Sequence, residues 1–179
     1  GNPEVEIALM LLRRATGNEK YKELAKHFVD VRGQAPNYFV EEKKNRGWNV
    51  WDGAEELNTD YTQSTLPVRE QKDAVGHAAR AVYLYTGMAE GAKGTQDETL
   101  LAACREFLGS DTKPRMYITG GIGSTFMGEA FTVDYDLPND TVYAETCASI
   151  GLMFFAKKML ENEHRGEYAD VLERAFYNT

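Results

Sequence analysis

The apolar pattern of this chain predicts an all-α protein: three helical hairpins, each an inner helix followed by an outer one, forming about half of an (α/α)6 toroid. Apolar residues recur at helical spacing through most of the 179 residues, and strand-like alternation is almost absent. A helix apolar nearly all round is followed by a helix with one apolar stripe, and this pairing returns three times.

The first helix, residues 3 to 14, opens with Pro3 in its first turn and is apolar on nearly every side, through Val5, Ile7, Ala8, Leu9, Met10, Leu11 and Leu12. Such a helix wants neighbours all round. The second, capped by Asn18 and running to Val31, carries one stripe of Tyr21, Leu24, Ala25, Phe28 and Val29, with Lys and Glu opposite. Residues 67 to 86 are rich in small apolar side chains (Ala74, Val75, Ala78, Ala79, Ala81, Val82), whereas residues 96 to 108 have the single stripe Leu100, Leu101, Cys104, Phe107 and Leu108. Residues 147 to 160 are again apolar almost throughout, and residues 167 to 177 again have one stripe, Tyr168, Val171, Leu172, Ala175 and Phe176.

The pairs begin near Pro3, Pro67 and Asn139, an interval of about seventy residues that fits a ring with inner helices lining a central cavity. A plain six-helix bundle is the alternative, but it has no evident need for two long connections, residues 33 to 66 and 109 to 138. Connections of that length in a compact domain are usually functional, so chemistry is expected there and at the inner-helix ends they feed. No domain boundary is expected within residues 1 to 179.

A hydrophobic content of 42% and a charged content of 27% fit a chain with a real core and exclude disorder. Twenty Lys and Arg against 28 Asp and Glu leave a net charge of -8, which repels nucleic acid and anionic lipid. No apolar run reaches the roughly 18 residues that span a bilayer, and Gly1-Asn2-Pro3-Glu4 lacks the layout of a secretory signal. Cys104 and Cys147 give no disulfide framework, and sparse thiols point to a reducing, cytoplasmic setting.

The second long connection holds Thr119-Gly120-Gly121-Ile122-Gly123-Ser124, then Gly128-Glu129-Ala130-Phe131. It is no phosphate cradle, since Phe126 stands where a third glycine would, and no Gly-Lys-Ser/Thr follows. The glycines fit tight turns that bring a side chain to a cavity mouth. Glu129 is the candidate for that side chain, with apolar sequence neighbours expected to raise its pKa for proton transfer; a surface Glu in a turn is the plain alternative. Glu145 and Cys147 are both zinc-competent, yet residues two apart on a helix point about 200° from one another. A shared metal therefore requires extended backbone through Glu145 and a helix starting near Thr146 or Cys147. The alternative for Cys147 is a small buried residue.

His77 is placed on the second inner helix among Gly76, Ala78 and Ala79, with a core histidine or a pair with Asp73 as alternatives. His27 and His164 sit in charged, surface-like surroundings, and Cys104 belongs to an outer-helix stripe. Trp48 and Trp51 either stack on a sugar ring or pin the first long connection.

Several segments taken together resemble glycoside hydrolase family 127: Leu66-Pro67-Val68-Arg69-Glu70-Gln71 with Ala74-Val75-Gly76-His77-Ala78, the two glycine segments above, Leu137-Pro138-Asn139-Asp140 through Ala144-Glu145-Thr146-Cys147-Ala148, and Leu172-Glu173-Arg174-Ala175 with Tyr177-Asn178. The similarity runs through most of residues 60 to 179 in the same order. It implies part of a retaining β-L-arabinofuranosidase acting on arabinofuranoside-containing oligosaccharides, with an (α/α)6 toroid, a zinc-bound cysteine thiolate as nucleophile and a glutamate as acid and then base. Carried over by position, Glu129 resembles the acid/base, Glu145 and Cys147 two zinc ligands, and His77 a sugar-contacting residue. The family's other two zinc ligands, an adjacent cysteine pair that includes the nucleophile, have no counterpart in this chain, and Thr65 stands where many relatives have His. A fragment inactive on its own is expected, self-associating through uncovered apolar helix edges. The rival readings are another toroid sugar enzyme, an epimerase or unsaturated-glycoside hydrolase that needs no metal, and a non-catalytic glycan-binding module.

Overall fold

The computed structural model describes residues 3–47 and 57–179; Trp48 and Trp51 lie outside the described residues. Among the described residues seven α-helices follow in order: α1 Val5–Thr16, α2 Glu19–Asp30, α3 Tyr38–Arg46, α4 Ala78–Thr95, α5 Glu98–Thr112, α6 Thr146–Asn162 and α7 Gly166–Asn178. Among the described residues there is no strand, only three isolated antiparallel bridges. Short connections fold α1 on α2, α4 on α5 and α6 on α7. The helices α1, α4 and α6 pack side by side as an inner row, and α2, α5 and α7 lie outside it, α2 also touching α4 and α5 also touching α6. This is the layout of the three inner and outer hairpins of a partial toroid.

Local chemistry sets most helix limits. Asn18 and Asn37 cap α2 and α3, their side chains accepting the N–H groups of Lys20 and of Phe39 and Val40, while Asp97 caps α5 by accepting that of Leu100. Gly17 and Gly47 end α1 and α3 in the left-handed conformation. The core is built on α4, whose Ala81, Val82, Leu84, Tyr85, Met88 and Ala89 are wholly buried. Tyr85 stacks on Phe107 of α5 with ring centroids 4.1 Å apart and meets Phe155 of α6 at 5.6 Å. Burying one such ring stabilises by about 2 kcal/mol. Glu90 of α4, 4% exposed, takes Lys158 of α6 at 2.8 Å and Arg14 of α1 at 3.2 Å, so an ion-paired carboxylate ties the inner row together.

Three elements differ from expectation. The second inner helix starts at Ala78, not Pro67, and continues to Thr95 beyond Thr86. It cannot start earlier because Gly76 has φ +73° and lies where a Cβ would overlap the Asp60 carbonyl oxygen. It passes Thr86 because Gly87 is no terminator: a Cβ there would sit 2.9 Å from Glu6 Cβ, so glycine lets α1 approach. The first long connection contains α3, whose cap signals, Asn37 and Gly47, were present in the sequence. Finally, α1 is not covered all round. It buries Glu6, Leu9 and Met10 but leaves Val5, Leu11 and Leu12 at 40%, 50% and 43% exposure, since among the described residues α2 and α4 pack on one side of it.

Candidate active site

His77 is the N-cap of α4 rather than a residue within it, with extended backbone at φ -63° and ψ 117°. Its Nδ1 accepts the N–H of Arg80 at 3.4 Å. The preceding segment is fixed from two sides: Gln63 Nε2 donates to the Val75 carbonyl at 2.9 Å, and the Phe131 N–H donates to the Gly76 carbonyl at 2.9 Å. That second bond belongs to the bridge between His77 and Ala130, which brings the neighbouring Glu129 to the start of α4.

The connection between α5 and α6, residues 113 to 145, is a series of glycine turns. Tyr117 N–H donates to the Gly121 carbonyl at 2.9 Å as the chain doubles back between Met116 and Ile122. Gly123, at φ +90°, offers its carbonyl to the Ala144 N–H at 2.8 Å, so the turn becomes a platform for the segment leading into α6. A second doubling back pairs Thr125 with Ala130 and carries Glu129 at φ +52°, a conformation a non-glycine residue adopts rarely and often at functional sites. Glu145 is extended, at φ -64° and ψ 150°, and α6 begins at Thr146, the geometry that a shared face for Glu145 and Cys147 requires.

One carboxylate joins these segments. His77 Nε2 lies 2.9 Å from Glu129 Oε2, and the Tyr143 hydroxyl donates to Glu129 Oε1 at 2.9 Å. Because Nδ1 accepts from Arg80, the hydrogen-bond pattern assigns the imidazole proton to Nε2, where it donates to Glu129. Donor atoms of His77, Glu129 and Glu145 lie within 4.8 Å of one another. These three and Cys147 line one cleft of about 310 Å³, together with Tyr61, Arg80 and Tyr83. Tyr61 meets the His77 ring edge-on at 5.5 Å and lies under the Arg80 guanidinium at 5.8 Å. The hydrogen bond to Glu129 first, then burial, push the Tyr143 phenol up to about 12. Burial first, and then the cleft's negative groups, also raise the phenols of Tyr61 and Tyr83.

The four expected site residues therefore share one cleft, with two corrections to their surroundings. Glu129 is not enclosed by apolar side chains: Phe126 and Met127 point to solvent at 68% and 73% exposure, and the carboxylate, 43% exposed, meets polar partners instead. His77 does not pair with Asp73, which faces Arg115 at 3.7 Å. Both cysteines are free, Cys104 in the core and Cys147 exposed in the first turn of α6. Tyr143 was missed from sequence, because its contact with Glu129 is made across fourteen positions and through a left-handed turn at Ala144, φ +40°, that no local pattern signals.

The cleft also bears on the zinc ion that the resemblance implies. Glu145 makes no capping bond to α6 and Cys147 is a free thiol, so neither donor is committed to helix structure. One oxygen and one sulfur are donors zinc accepts, and they make two of the usual four.

The family model described as the β-L-arabinofuranosidase GH127 catalytic domain matches residues 1–179. The chain is 45% identical to the non-reducing end β-L-arabinofuranosidase of Bifidobacterium longum subsp. longum over 179 residues, covering 99% of this chain and 27% of that protein. The crystal structure of a GH127 β-L-arabinofuranosidase from Geobacillus stearothermophilus T6 superposes with a TM-score of 0.91 at 54% identity, covering 97% of this chain and 27% of that one. A second structure, the GH127 β-arabinofuranosidase BT3674, gives a TM-score of 0.81 at 39% identity, covering 97% of this chain and 24% of its own. The chain thus spans about a quarter of the length of these relatives.

Proposed function

This chain belongs to the GH127 β-L-arabinofuranosidase catalytic-domain family, and from that premise we propose that it supplies the proton-transfer part of a retaining hydrolysis of terminal β-L-arabinofuranosyl linkages. The activity is proposed for an enzyme of the relatives' length that contains the chain. The observation that carries the reading is the convergence of Glu129, Glu145, Cys147 and His77 on one cleft.

Glu129 is the acid and then the base. As a nucleophile from outside this chain bonds to C1 and the C1–O bond breaks, the Glu129 carboxyl proton passes to the departing glycosidic oxygen; later the carboxylate takes a proton from the water that attacks C1 as the C1–nucleophile bond breaks. His77 orients Glu129 through Nε2, and by family resemblance it also contacts the sugar. Glu145 and Cys147 would hold zinc, whose charge, when bound, favours thiolate over thiol near neutral pH. The nucleophile implied by resemblance belongs to an adjacent cysteine pair, and this chain has no such pair. Cys147 is proposed as a ligand only.

The test is hydrolysis of a terminal β-L-arabinofuranoside followed by proton NMR. Retention predicts the β-anomer as first product. The α-anomer, or no release of arabinose, would overturn the reading.

A further inference from the structure

Glu129 has little packing of its own. Its backbone lies in the left-handed region, its side chain is 43% exposed, and its position is set by one donor on each oxygen, His77 on Oε2 and Tyr143 on Oε1. The two donors differ in what else they face. His77 lines the cleft, and a hydrogen bond from its Nε2 to a sugar hydroxyl would compete with the one it gives Glu129. Tyr143 gives its one hydroxyl proton to Glu129 Oε1 at 2.9 Å, with the Glu145 carboxylate also beside that hydroxyl.

The backbone around Tyr143 is also held. The next residue, Ala144, has φ +40° and donates its N–H to the Gly123 carbonyl at 2.8 Å. A Cβ on Gly121 would stand 3.1 Å from Ala144 Cβ, so this glycine gives the segment room to settle on the turn. The glycine-rich stretch thereby places a phenol beside a carboxylate fourteen positions earlier in the chain.

We propose that Tyr143 is a positioning residue for Glu129, fixing Oε1 by hydrogen bond so that the carboxyl stays aimed at the glycosidic oxygen when His77 turns to the sugar. This rests on the reading of Glu129 as acid/base. A phenol O–H can donate to Oε1 whether Oε2 is ionised or carries the proton to be transferred, so the bond survives in both forms of the carboxyl.

The experiment uses Tyr143→Phe, alone and combined with Glu129→Gln, in an enzyme of the relatives' length that contains this chain. Two β-L-arabinofuranosides are compared: p-nitrophenyl, whose leaving group needs little protonation, and methyl, whose leaving group depends on it. Removing a positioning bond is expected to lower kcat/KM, which reports the leaving-group step, about tenfold or more for the methyl glycoside, with change under about threefold for the nitrophenyl glycoside. Beside Glu129→Gln, adding Tyr143→Phe should cost no further activity, because the group it positions no longer transfers a proton. Equal loss of kcat/KM on both substrates, or a further loss in the Glu129→Gln background, would overturn the positioning role while leaving Glu129 as the acid/base. Full activity of Glu129→Gln on the methyl glycoside would sink both. The thermal midpoint of each variant shows whether it is folded, and the leaving-group comparison is made within one protein sample.

Discussion

The imidazole of His77 links the N-terminus of α4 to the carboxylate of Glu129: Nδ1 accepts from Arg80 N–H at 3.4 Å while Nε2 lies 2.9 Å from Glu129 Oε2. One side chain thus caps a helix and holds the carboxylate proposed to react, and the two roles are separable. Replacement His77→Ala should lower stability by about 1 kcal/mol through loss of the cap and also reduce turnover. His77→Asn, whose amide oxygen can take over the capping bond, should recover the stability and not the turnover. Chemical denaturation and steady-state kinetics on the same pair check this.

Two donor sets compete for a metal in this cleft, the Glu145 and Cys147 pair and the compact group of His77, Glu129 and Glu145. Zinc held by sulfur and oxygen predicts that Cys147→Ser and Glu145→Gln each weaken zinc at least tenfold, in competition with a chromophoric chelator, while His77→Asn changes affinity little. A His77 effect as large as the Cys147 effect would assign the metal to the other set.

Much of this was legible in the sequence. The inner and outer helix pairs follow from stripe width, which depends only on how much of each helix is buried. The extended backbone at Glu145 follows from requiring one side for two residues two apart. What stayed hidden depended on long-range contact. The start of α4 is set by Gly76 against Asp60, sixteen positions away, and the surroundings of Glu129 by His77 and Tyr143, fifty-two positions before it and fourteen after. Apolar neighbours in sequence such as Phe126 and Met127 said nothing about that carboxylate, because the turn sends them to solvent.

Asp111 of α5 is wholly buried, and burial holds its carboxyl well above the usual range despite the nearby Arg115 guanidinium. The folded chain keeps this proton where the unfolded chain releases it, near pH 4. Stability from this group is therefore complete below that pH and declines as pH rises toward the folded-state pKa. Asp111→Asn should raise the thermal midpoint at pH 7 by roughly 3 °C or more, with the gap closing toward pH 4. A difference independent of pH would contradict this.

Val5, Leu11, Leu12 and Phe154 stand 40%, 50%, 43% and 48% exposed on the inner-row helices α1 and α6. The 179-residue chain should accordingly self-associate, its sedimentation coefficient rising with concentration, and Leu11→Lys with Leu12→Lys should reduce the effect. A monomer at every concentration would contradict it.

In the proposed reaction Glu129 moves the proton. The most direct test of this is the turnover of methyl β-L-arabinofuranoside by Glu129→Gln in an enzyme of the relatives' length. A fall in kcat of about 10²-fold or more with sugar binding retained is expected. Turnover within a few-fold of the parent enzyme would contradict it.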